Sequence, residues 1–344
     1  MNRLAEQAYL RTRLAIMHAN LLGPEELERI ARLPTEDLST AIGLDLAGGG
    51  SGAKRLATFE RALMQTWLDE LGTLLRPLGG AARRLLTHGS SRYELLNIKA
   101  LVRGMIGQLS REEIEQSLFQ LPGFLSLNHD ELLNTDNIPE LLRRLQKTRY
   151  RGIATQALRR YEERPEPFLL DATLDQQFYT QLIDRARRLE AEDREQILNL
   201  IGRIVDRHNI VWSLRYRFNY GLQGSEVLYL AIDGGRKIDR RRLQEIVSAD
   251  SLADALKALP DDIVESGELG EQITLVEARL RHDLDLHAQR ALHRSPSVLT
   301  SVLAYLVLRH GEIKRLYAIA HAHIHGLDVS LLDQAFHPDA EAAA

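Results

Sequence analysis

With 344 residues, 44 basic and 48 acidic side chains and a net charge of −4, the chain has the length for a large core, and its charge balance speaks against a dedicated nucleic-acid binder. It contains no cysteine, which excludes disulfides, thiolate metal ligands and cysteine nucleophiles. Leu, Ala, Arg and Glu dominate, all good helix formers, and alternating Val-rich strands are scarce, so an all-α fold is expected. The opening Met1-Asn2-Arg3-Leu4-Ala5-Glu6 lacks the apolar core of a secretory signal. The longest apolar run, Val298 to Leu308, falls well short of the ~20 residues that span a bilayer. A soluble or peripheral protein is expected.

In chain order, Leu4, Ala8, Leu10 and Leu14 place a helix over 1–22. Gly23-Pro24-Glu25-Glu26 breaks it and starts another, with proline and acids in the first turn. Leu27, Ile30, Ala31 and Leu33 follow, and Pro34-Thr35-Glu36-Asp37 opens a third, short helix with Leu38 and Ile42 inward. Gly48-Gly49-Gly50-Ser51-Gly52 has the glycines of a phosphate loop, but no Gly-Lys-Ser/Thr follows; Lys54 is succeeded by Arg55. It reads as a flexible joint. Helices are expected over Leu56–Leu75, Ala81–Thr87, Tyr93–Leu109 and Leu141–Glu163, the last ended by Arg164-Pro165-Glu166-Pro167. Phe168 to Asp175 reads as an extended connector into a helix whose apolar face is Phe178, Tyr179, Leu182, Ile183 and Ala186. Asp193 begins a helix running to about Tyr220, and Val227–Ile232 is a short helix stopped by Asp233-Gly234-Gly235. Leu275–Leu292, Val298–Leu308 and Glu312–Gly326 complete the set, and the tail from Pro338 is expected to fray.

One pattern recurs. Glu94, Asn97, Ile98 and Arg103 form an acid with Asn at +3, Ile at +4 and Arg at +9; Asp206, Asn209, Ile210 and Arg215 repeat it. A looser third copy starts at Glu312, with Arg315 in the Asn place and His321 in the Arg place. The acids are 112 and 106 residues apart. A two-helix piece keeps the same period: Leu27, Leu132 and Leu243 are 105 and 111 residues apart. Three copies of one unit are expected, over residues 1–127, 128–236 and 237–344. On a helix the acid, the Asn and the Ile share a face while the Arg points the opposite way. A helix wedged between two neighbours needs both, so these groups are expected at packed joints, where an unpaired buried charge would be costly. The competing reading is an exposed helix with scattered charges.

No constellation for catalysis emerges. His321 and His325 face the same way, but no Glu follows in zinc-helix fashion, so no metal or cofactor is expected. Gly-x-Ser-x-Gly and a dinucleotide fingerprint after a strand are absent. The pairs Arg83-Arg84, Arg143-Arg144, Arg159-Arg160 and Arg187-Arg188 and the triplet Arg240-Arg241-Arg242 read as solvated helix faces, or else as contacts to an acidic partner or phospholipid headgroups.

Tyr93-Glu94-Leu95-Leu96-Asn97-Ile98-Lys99-Ala100-Leu101-Val102-Arg103 resembles a signature segment of the C subunit of A-type and bacterial V-type ATPases, the counterpart of the d subunit of eukaryotic V-ATPases. Phe178-Tyr179 followed by Asp206, Asn209, Ile210 and Arg215 is similar to that family's second repeat, and Glu312 to Ala320 to its C-terminal segment, with Arg315 and Tyr317 as departures. Tyr9-Leu10-Arg11-Thr12-Arg13-Leu14 also fits. The resemblance implies a funnel-like, pseudo-threefold array of three helical subdomains at the cytoplasmic face of the membrane. It implies a non-catalytic central-stalk subunit of a rotary ATPase, whose partners are the rotor shaft subunits and the membrane proteolipid ring, with no nucleic acid and no small-molecule substrate. It would couple ATP turnover to proton or sodium transport. The alternative is a helical scaffold unrelated to an ATPase.

Overall fold

The computed structural model describes residues 3–43, 51–260, 263 and 273–328. The glycines at 48–50 of the expected joint and the tail from Pro338 lie outside the described residues. Every regular element among the described residues is helical: seventeen α-helices and one π turn. In order these are α1 (Arg3–Ala19), α2 (Pro24–Ala31), α3 (Thr35–Ile42), α4 (Gly52–Leu75), α5 (Gly80–Ser90), α6 (Arg92–Ile106), α7 (Arg111–Ser117), α8 (His129–Leu133) and α9 (Ile138–Leu145). Then come α10 (Arg151–Glu163), α11 (Pro167–Arg187), α12 (Ala191–Leu214) with the π turn Arg215–Asn219, α13 (Gly224–Leu230), α14 (Arg240–Ser248) and α15 (Leu252–Lys257). The last two are α16 (Ile273–Arg294) and α17 (Val298–His325).

The chain packs as two compact units. One comprises Met1–Leu78, Glu190–Tyr229 and Gly234–Ala344; the other comprises Gly79–Leu189 and Leu230–Asp233. In the first, α17 packs along α16 and against α1, α4 and α12, while α16 also packs on α12. Leu200, Leu284, Ala288, Ala304, Val307 and Leu308 form one core cluster there. In the second, α11 packs on α5, α6 and α10, and α10 on α9.

Caps explain several boundaries. Asn137 accepts from the Glu140 amide at 3.0 Å, and Asp239 from the Arg242 amide at 2.8 Å, each satisfying a first-turn donor. Ser110 and Glu113 form a capping box on α7. The recurrent two-helix piece appears as the pairs α2–α3, α8–α9 and α14–α15, with Leu27, Leu132 and Leu243 all buried.

Two expected elements differ. Phe168–Asp175 is the first half of α11, not a connector: Pro167 sits in the first turn, where its missing N–H costs nothing, and Leu169, Leu170, Ala172, Thr173 and Leu174 are buried at helical spacing. Val298–Leu308 and Glu312–Gly326 are one helix, because Gly311 does not interrupt it. A Cβ at Gly311 would meet Asp285 Oδ1 at 3.4 Å, an ordinary contact, so the packing of α16 does not itself demand glycine there.

Candidate functional site

The recurrent acids are buried, and each holds a loop. Glu94 on α6 is fully buried; its Oε1 accepts the Leu127 amide at 2.8 Å, and His129 Nε2 lies 2.9 Å from the same oxygen. Asp206 on α12 accepts three consecutive amides, from Arg236 at 2.9 Å, Lys237 at 2.8 Å and Ile238 at 3.1 Å. Glu312 on α17 accepts the Leu22 amide at 3.0 Å. Leu22, Leu127 and Ile238 each stand five residues before Leu27, Leu132 and Leu243. The same oxygen chemistry therefore meets the same backbone position, just ahead of each short helix pair. A buried amide in a loop needs an acceptor, and a carboxylate from a neighbouring helix supplies it.

The electrostatics follow from this burial. Desolvation raises the Asp206 pKa, and the three amides oppose the shift. Desolvation likewise raises the Glu312 pKa against the pull of Arg309 and the Leu22 amide. Arg309 bonds Glu312 and lies 3.1 Å from Glu70 Oε2, while the Tyr305 hydroxyl donates to Glu70 at 2.8 Å.

The +3 and +9 positions behave less uniformly. Asn97 is buried; its Nδ2 donates to Glu94 Oε2 and to the Phe119 carbonyl, both at 3.0 Å, and its Oδ1 accepts the Phe119 amide at 2.8 Å. Asn209 is buried too, and Arg315 in the third copy bonds Asp285. Arg103 reaches toward Asp171 at 3.8 Å from a side chain that is 62% exposed, a geometry worth little. Arg215 donates to Glu277 at 2.8 Å beside Arg207, which bonds the other oxygen at 2.9 Å. His321 is exposed, its ring 4.4 Å from that of His325. Polar groups on α6 are thus engaged on two sides, by the 119–129 segment and by α11, where Lys99 meets Asp175 at 2.8 Å.

Sequence reasoning did not single out Arg309, Glu70 or His129. A signal existed for the first: a basic residue stands three places before the acid in two copies, as Arg203 and Arg309, and Arg203 bonds Asp283 at 2.8 Å. Glu70 and His129 have no counterpart in the other copies. Most of the arginine clusters pair locally on the surface, as in Arg143–Glu162, Arg159–Glu163 and Arg187–Asp184. No group of three or more metal-ligating side chains occurs among the described residues, and no described helix is long and apolar enough to cross a membrane.

Asn97→Leu is expected to cost about 2–4 kcal/mol, because both Phe119 backbone groups lose the partner that the buried Asn97 supplies. Denaturant unfolding checks this; a loss below about 0.5 kcal/mol would contradict the bridging role.

These features define an all-helical protein in which long helices use buried carboxylates to pin the loops that precede short helix pairs. The sequence profile of the ATP synthase (C/AC39) subunit family matches residues 10–335, so the chain belongs to that family. It is similar to the C subunit of the A-type ATP synthase of Methanosarcina barkeri, 24% identical over 341 residues that cover 96% of this chain and 92% of the relative. The same-named protein of Methanosarcina mazei is 24% identical over 336 residues, covering 94% and 91%. That of Haloferax volcanii is 23% identical over 340 residues, covering 94% and 95%.

Proposed function

We propose that the chain is the non-catalytic central-stalk subunit of a rotary V/A-type ATPase. It seats the rotor shaft on the membrane proteolipid ring, at the cytoplasmic face, and couples ATP turnover to proton or sodium transport. In this reading the three copies, over 1–127, 128–236 and 237–344, are subdomains of a funnel-like pseudo-threefold socket. The supporting observation is the shared register of the three carboxylate contacts, in a chain matched by the family along nearly its whole length. Each acid belongs to one copy: Glu94 holds Leu127 at the end of the first, Asp206 of the second holds Ile238 at the opening of the third, and Glu312 of the last holds Leu22 of the first. A part that transmits torque must resist shear between its segments. Multiple charge-assisted bonds to backbone resist it better than side-chain pairs on flexible stems.

The test is removal of this protein from the assembled complex. ATP hydrolysis by the catalytic head is expected to persist while ion pumping into membrane vesicles is lost. Re-addition of the purified chain restores pumping and brings the chain down with the proteolipid ring. Pumping at the parental rate in its absence would end the reading.

A further inference from the structure

Within the unit that contains Gly79–Leu189, a cavity of about 270 Å³ opens between α5, α10 and α11. Arg83 and Arg84 reach it from α5, Arg149 from the turn before α10, and Arg185 from α11; Thr87 and His88 complete the wall beside α5. No carboxylate is among its lining residues. Elsewhere among the described residues Arg143, Arg159 and Arg187 each pair with a glutamate or aspartate. Three of its lining side chains are held in place. Arg149 bonds the carbonyls of Phe124 and Ser126, Arg185 donates to the Gln181 carbonyl at 3.0 Å, and the His88 ring stacks on Phe178 with its Nε2 3.0 Å from the Phe178 carbonyl.

We propose that this cavity binds a phosphate-bearing anion, either free phosphate or the headgroup of an anionic phospholipid. Several guanidinium groups lining one cavity suit a tetrahedral oxyanion, which accepts from more than one donor at once. The local charge is consistent with this. Burial, with the nearby Arg188 adding to it, lowers the Arg185 pKa against the pull of Asp184. Burial, with Arg185 adding a smaller push, depresses His88 to about 4 despite its bond to the Phe178 carbonyl. His88 is therefore neutral near pH 7 and reports on charge placed beside it. The proposal does not depend on the rotary reading: it needs only this unit's own side chains.

The experiment uses the full chain, with inorganic phosphate titrated at low ionic strength and His88 ring resonances followed by NMR. Phosphate is expected to shift them saturably, while sodium chloride at matched ionic strength does not. Arg84→Gln alters an exposed side chain and is expected to leave the unliganded melting temperature in place while weakening phosphate at least about tenfold. Arg84→Gln combined with Arg185→Gln removes the saturable shift. Flotation with phosphatidylglycerol vesicles but not phosphatidylcholine vesicles, lost in Arg84→Gln, assigns a lipid headgroup. A phosphate response without flotation assigns the free anion. No saturable shift with phosphate, an equal shift with chloride, binding of an acidic peptide alone, or undiminished affinity in a folded double variant would each overturn the proposal.

Discussion

Asp206→Ala is expected to lower the free energy of unfolding by about 3–5 kcal/mol. Its two oxygens take three successive amides, of Arg236, Lys237 and Ile238, and alanine leaves all three without that acceptor beside the buried Ile238. Asp206→Asn should fall between parent and alanine. An amide has only one accepting atom, and its –NH₂ would face a backbone N–H. Gly235 offers an independent check. A Cβ there would lie 2.3 Å from Asp206 Oδ1 and 2.8 Å from the Ile238 carbonyl oxygen. Gly235→Ala should therefore open the same loop and destabilise in the same direction. Urea unfolding followed by circular dichroism measures all three variants. An Asp206→Ala variant within about 1 kcal/mol of the parent would show that the loop holds without its acid.

Arg309→Met should cost about 3–5 kcal/mol at neutral pH, because it removes the cation and keeps the anions. Glu312 is buried and bonded to Arg309, and Glu70 lies on the other side of the same guanidinium, sharing the Tyr305 hydroxyl. The pH dependence has a definite sign. Burial already raises the folded-state pKa of Glu312 above the ordinary glutamate value, and Arg309 holds it down. Without Arg309 it rises further, so the folded chain binds more protons than the unfolded chain across that interval. Stability is then lost as pH rises through it and regained as pH falls toward the ordinary value. The variant's deficit should therefore shrink on mild acidification. Thermal melts of parent and variant at a series of pH values test this; a deficit independent of pH would place the damage in lost packing instead of stranded charge.

The phosphate site and the carboxylate joints differ in how much of them the sequence exposes. Arg83 and Arg84 are adjacent and visible as a pair, but Arg149 and Arg185 join them only because α5 and α10 both pack on α11. Exposed arginines that pair along one helix read identically in sequence to arginines that gather around a cavity. Phe168–Asp175 shows the reverse limit. Beside Pro165 and Pro167 it reads as extended, yet burial of Leu170 and Leu174 makes it helix, since packing of an apolar face outweighs local preference.

Sequence alone determined the helical class, through composition and apolar spacing, and it determined the period, through Glu94, Asp206 and Glu312 and through Leu27, Leu132 and Leu243. Both are local or repetitive properties, written in side-chain identity. What each acid grips was decided by tertiary structure. The partners are backbone amides of Leu127, Ile238 and Leu22, and a backbone amide is the same in every residue but proline, so no letter of the sequence marks it. The junction of Glu70, Tyr305 and Arg309 belongs to the same category. Its members lie more than two hundred residues apart in part, and only the packing of α17 on α4 brings them within bonding distance.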